Sequence, residues 1–141
     1  LAIKHMNIID YLELLKNNDV KNSSMWSNAI NSCRAVEIKN SSSLKIKSSI
    51  KHINAKVHQC FHTALLASMC NPKIKYIEGF LDVHGVMIEH AWNSFEGVHF
   101  DLTGENENRF SHYSILELEQ DEVLKIASKK KVGGPYFYDE I

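Results

Sequence analysis

A thiol at Cys60, an imidazole at His90 and a carboxylate at Asp101 are the residue types in this 141-residue chain that can do covalent chemistry together. A thiol nucleophile needs a thiolate, a base to manage its proton, and a group to orient that base. Cys60 opens a run of good helix formers, Ala64, Leu65, Leu66, Ala67 and Met69. The unpaired N–H groups of a helix start carry partial positive charge, which favours a thiolate and can hold an oxyanion. His90, Trp92 and Ser94 share one face of a predicted strand, because strand side chains alternate. Ser94-Phe95-Glu96-Gly97 reads as a hairpin turn. If all four residues form the loop, Asn93 pairs with Val98 and His90 lies opposite Asp101. If only Glu96-Gly97 form it, His90 pairs with Thr103 and Asp101 is its diagonal neighbour on the same face. Either register brings the carboxylate within reach of a ring nitrogen of His90.

Other groups compete for roles. Glu78 is a charge in an apolar strand, read as an outward-facing or ion-paired carboxylate before a substrate contact. Trp92 is read as packing against the triad, with substrate contact as the second option. Cys33 and Cys70 are expected to be packing residues; free cysteine is often buried. His58, Cys60 and His62 alternate, and His84, His90 and His99 follow, which are residue types zinc accepts. No His-Glu-x-x-His or Cys-x-x-Cys spacing occurs, and a strand through His58, Cys60 and His62 would cost the helix start. The expectation is therefore no metal and no cofactor.

The elements that must position these groups follow from periodicity. Met6–Lys16 carries a helical apolar stripe, Asn17–Ser24 reads as a loop, and Met25–Val36 reads as a helix with Trp26, Ile30 and Cys33 or Arg34 on one side. Asn40–Ser43 is a polar break, and Leu44–Val57 stays open. Asn71-Pro72 ends the helix begun at Cys60, since a residue before proline resists helical angles. Strands are expected over Ile74–Asp82, Val86–Asn93 and Val98–Leu102. Tyr113–Leu118 is a fourth strand or the start of the next helix, which runs over Asp121–Lys131 and stops at Gly133-Gly134-Pro135. A helix followed by an antiparallel sheet is an α+β layout.

The length suits one domain. A net charge of -1 without a long basic block speaks against a nucleic-acid partner. Lys129–Lys131 read as a solvated helix end. No apolar run approaches the roughly 20 residues of a membrane span, so no membrane partner is expected. Three cysteines without disulfide-like spacing suggest a reducing, cytoplasmic setting. Residues 1–5 before Met6 read as a cloning remnant, with Met6 as the expected start.

The order Cys60, Tyr76-Ile77-Glu78-Gly79-Phe80, Glu89-His90-Ala91-Trp92-Asn93, Asp101-Leu102-Thr103 resembles the core of transglutaminase-like proteins in the papain-like superfamily. The resemblance covers about Cys60 to Thr103. It implies a single papain-like domain with the nucleophile helix packed on an antiparallel sheet. It also implies Cys-His-Asp catalysis on the amide bond of a protein, a peptide or a small molecule, by hydrolysis or acyl transfer. Asn54, six residues before Cys60, stands where papain-like proteases place an oxyanion-hole Gln, and the adjacent Gln59 is a second candidate. The family often has Gly where this chain has His58, and Pro where it has Leu102.

Overall fold

A computed structural model describes residues 6–56, 58–103, 110–130 and 133–141. The expectation for residues 1–5, and the last residue of the predicted helix, Lys131, lie outside the described residues. Among the described residues, six helices and five strands follow one another: α1 (Ile8–Asn18), α2 (Ser23–Ser32), β1 (Arg34–Val36), α3 (Lys47–Ile50), α4 (Cys60–Cys70), β2 (Ile74–Val83), β3 (Val86–Phe95), β4 (Val98–Phe100), β5 (Ser111–Leu118), α5 (Gln120–Lys130) and α6 (Phe137–Glu140). The α+β class expected from the sequence is the one observed. Strands β1 to β5 form one sheet in the order β1-β5-β2-β3-β4, with each neighbouring pair antiparallel.

The predicted helix Met25–Val36 is corrected. It ends at Ser32, and Arg34–Val36 pair with Ser114, Tyr113 and His112 of β5. Sheet pairing, invisible to local propensity, overrides the helical pattern there. The predicted loop Asn17–Ser24 is mostly helical: α1 runs to Asn18 and Val20–Asn22 form a 3-10 turn. Among its described residues, the open segment Leu44–Val57 carries only the four-residue α3. Tyr113–Leu118 belongs to a strand. β3 extends to Phe95, so the hairpin loop is Glu96-Gly97 alone, at φ 50° and 81°. Positive φ at both central residues matches the right-handed twist of the flanking strands.

The sheet has two unlike faces. Ile74, Tyr76, Phe80, Ala91, Phe95 and Phe100 take part in three apolar clusters with the helices. Alternation then turns His90, Trp92, His99 and Asp101 to the other face, together with His112 and Ser114 of β5. All six are buried. Curvature accounts for it. Val36 pairs with His112 on β5, while Ile38, two residues on, bridges His99 on β4, and the Lys39 N–H donates to the His99 carbonyl at 2.8 Å. In a flat sheet β1 and β4 would lie four strand spacings apart, about 19 Å. Two residues span at most about 7 Å. The sheet must curl until its edges approach, and the polar face becomes its concave interior.

Gly79 is central to this geometry, because it pairs with His90 on one side and Ser114 on the other. A Cβ on Gly79 would collide with the Tyr113 carbonyl oxygen. Gly79→Ala is expected to destabilise the fold by about 1 to 3 kcal/mol, the usual cost of overpacking. Chemical denaturation of the variant against the parent measures it. No helix among the described residues is long and apolar enough to cross a membrane.

Candidate active site

Cys60 is the first residue of α4. Asn71 in extended conformation closes the helix ahead of Pro72, as the sequence led one to expect. Asn93 pins this helix to the sheet: its side-chain amide donates to the Ala64 carbonyl at 2.9 Å and to the Lys75 carbonyl at 3.1 Å. Ala64 lies one turn beyond Cys60, so the pin fixes the height of the thiol over the sheet. β4 covers the edge of β3 only at Asn93–Phe95. Beside His90 that edge carries no strand among the described residues, and there Cys60 is close enough to help raise the His90 pKa.

The two-residue loop selects the diagonal register, with Asn93 opposite Phe100 and Asp101 one step further along the same face as His90. His90 Nε2 lies 2.6 Å from Asp101 Oδ2. The other ring nitrogen, Nδ1, is thus the one left for Cys60. Burial penalises a charged His90, yet the hydrogen bonds to Asp101 and Cys60 outweigh it and push its pKa up to about 9. Burial likewise opposes the Asp101 charge, but the donors His112 and His90 hold its pKa below the ordinary carboxylate range. The structure thus brings together Cys60, His90 and Asp101 from a helix start, a strand and the end of a hairpin.

His112 joins this cluster, and sequence reasoning missed it. Its Nε2 lies 2.7 Å from the same Asp101 Oδ2, and its Nδ1 lies 3.0 Å from the Phe110 carbonyl oxygen. It is one of eight histidines, and nothing local marks it. Its place comes from pairing with Leu81, across a bulge between Glu78 and Gly79 that no sequence pattern announces. Trp92 is 1% exposed, closed to substrate, and packs on both imidazoles with centroids 6.1 Å from His90 and 5.0 Å from His112. Its Nε1–H donates to His99 Nδ1 at 3.0 Å.

The outward or ion-paired reading of Glu78 is corrected. It is fully buried, accepts from the Tyr76 hydroxyl at 2.5 Å, and takes the backbone N–H groups of Tyr136 and Phe137 at 2.8 and 2.9 Å. It ties the C-terminal segment to the sheet. Asn54 is exposed and lines a groove with Leu66, Met69 and Cys70, toward the far end of α4 from Cys60. Gln59 is exposed at the N-cap position, beside the nucleophile. Cys33 is half-buried against the α1–α2 core and Cys70 against the α3–α4 core, and burial pushes both thiols up.

His58 and His62 are both exposed, one in a turn and one inside α4, so they do not form a strand with Cys60. His90, Asp101 and His112 present ligand-type atoms within 4.8 Å of one another. Donors around a tetrahedral metal sit about 3.3 Å apart, given bonds of about 2.0 Å. The separations of 2.6 and 2.7 Å are those of direct hydrogen bonds instead. Comparison with family models, with curated proteins and with solved structures returns no match.

His90 supplies the measurable consequence. Its folded pKa is raised from 6.5, so its contribution to stability is full below about pH 6.5 and is lost as pH rises through about 9. A nitrogen-15 NMR titration should find the His90 ring losing a proton near pH 9. Asp101→Asn, which removes the carboxylate charge, should bring that midpoint down toward the ordinary histidine value.

Proposed function

We propose that this chain is a cysteine-nucleophile hydrolase or acyltransferase that acts on an amide bond through a thioester on Cys60. The observation that carries the reading is Cys60, at a helix N-terminus, set beside the hydrogen-bonded pair His90–Asp101, with the three residues coming from three separate elements. The resemblance to transglutaminase-like and papain-like proteins adds support, and so does the packing of a helix that begins with the nucleophile on an antiparallel sheet. His58 occupies the position where that family often has Gly, and it holds φ 70°, the left-handed conformation that favours glycine. The backbone turn before the nucleophile is thus kept although the residue differs.

The chemistry follows from the groups present. The Cys60 sulfur attacks the amide carbon, and the carbonyl π electrons move to oxygen. N–H groups of the first turn of α4, which have no partner within the helix, face the developing oxyanion. His90, protonated at neutral pH, gives its proton to the departing amine as the C–N bond breaks. Water or a second amine then attacks the thioester while His90 takes the attacker's proton, and the thiol is regenerated. Asp101 stabilises the imidazolium throughout without itself gaining a proton. The substrate class is a protein, peptide or small amide. Gln59 is the side chain placed to assist the oxyanion, and Asn54 sits toward the other end of the helix.

A thiol-directed alkylating reagent at neutral pH should label Cys60 well ahead of Cys33 and Cys70. Acid quenching during turnover of an activated ester should leave the acyl mass on Cys60, removable by hydroxylamine. Equal labelling of the three thiols, or a Cys60→Ser variant that keeps most activity, would overturn the reading in favour of a binding module.

A further inference from the structure

The hydrogen-bond inventory of His112 does not close with one proton. A backbone carbonyl can only accept, so His112 Nδ1, 3.0 Å from the Phe110 oxygen, must carry a hydrogen. A neutral imidazole would then present a bare lone pair from Nε2 to Asp101 Oδ2 at 2.7 Å. Two electron-rich atoms do not hold that distance. Asp101 cannot readily supply the proton, since the same Oδ2 also faces His90 Nε2 at 2.6 Å and its donors favour the ionised form.

We propose that His112 is the fourth member of a chain Cys60–His90–Asp101–His112, a positioning residue protonated on both ring nitrogens that holds the Asp101 carboxylate in place for His90. Its role in the reaction rests on the thiol mechanism above; its protonation does not. With a thiolate at Cys60 and imidazolium at His90, the chain carries two negative and two positive charges, and the group is neutral as a whole. With that thiolate but without the His112 charge, the group would hold a net negative charge around the buried Asp101, which is costly. Trp92 packs against His112 in a T-shaped contact at 5.0 Å and holds the ring in place. His99 provides the contrast on the same concave face. It accepts from Trp92 at Nδ1 and is therefore neutral, with burial lowering its pKa against the pull of Glu117. The remaining charges there, Arg34 and Glu117, pair with each other, and Lys75 is exposed.

The test combines spectra of the intact protein with two variants. Nitrogen-15 spectra at neutral pH should show protons on both ring nitrogens of His112, and these should persist when zinc is added. A single proton with a bare nitrogen, or displacement of the Nε2 proton by zinc, would overturn the proposal. H112F fills the ring volume but donates nothing. Its Cys60 should react with iodoacetamide about tenfold more slowly at neutral pH, the effect of one unit in the protonation balance. H112Q keeps a donor toward Asp101 and should react close to the parent rate. A folded H112F that reacts like the parent removes the positioning role, and should H112F not fold, the parent spectra and H112Q still decide. If Cys60 of the parent is itself unreactive while His112 shows both protons, the thiol mechanism fails and the doubly protonated His112 stands.

Discussion

A carboxylate that is 1% exposed keeps its charge only if donors replace the water it has lost. Asp101 is that carboxylate, and both imidazoles it faces must be delivered to one of its oxygens. His90 comes from β3 and His112 from β5, two strands separated by β2 in the sheet. Their side chains meet because the sheet curls over the face they share, while Gly79 lets β5 approach β2 closely. The rings sit 5.7 Å apart. The carboxylate thus depends on the curvature, and the orientation of His90 depends on the carboxylate.

The outer face answers a different requirement. Apolar side chains of β2 and β3 bury the helices in three clusters, but hydrophobic contact is non-directional and sets no height for α4. Asn93 does, through its bonds to the Ala64 and Lys75 carbonyls. It neighbours Trp92, which packs the imidazoles on the opposite face. Successive residues of one strand therefore serve the helix and the concave interior in alternation. The geometry of the candidate site is assembled across the strand that separates them.

Two buried carboxylates in this molecule behave in opposite ways, and their partners explain why. Glu78 is met by a tyrosine hydroxyl and two backbone N–H groups, all neutral, and burial dominates and raises its pKa. Asp101 is met by two imidazoles that can be cationic, and its pKa falls. The first suits a structural tie for the C-terminal segment. The second suits a group that must stabilise positive charge on a neighbour during a reaction.

The sequence by itself determined the local features. The helix from Cys60 to Cys70 and the His90 hairpin rest on interactions within a few residues, and so does the sharing of one face by His90 and Asp101; the choice of a two-residue over a four-residue turn at Glu96-Gly97 came from the structure. Propensity, alternation and turn chemistry express such interactions directly. Only the tertiary structure decided that Arg34–Val36 leave the helical pattern for a strand, that Glu78 points inward, and that His112 joins Asp101. Each of these depends on pairing between segments far apart in the chain. The register of β5 on β2 passes through a bulge, and the closure of the sheet is set by a crossing of two residues between Val36 and Ile38. A one-residue slip in such a pairing would turn His112 to the outer face. No local pattern carries that choice, because the free energy that fixes it comes from burying the whole concave face at once.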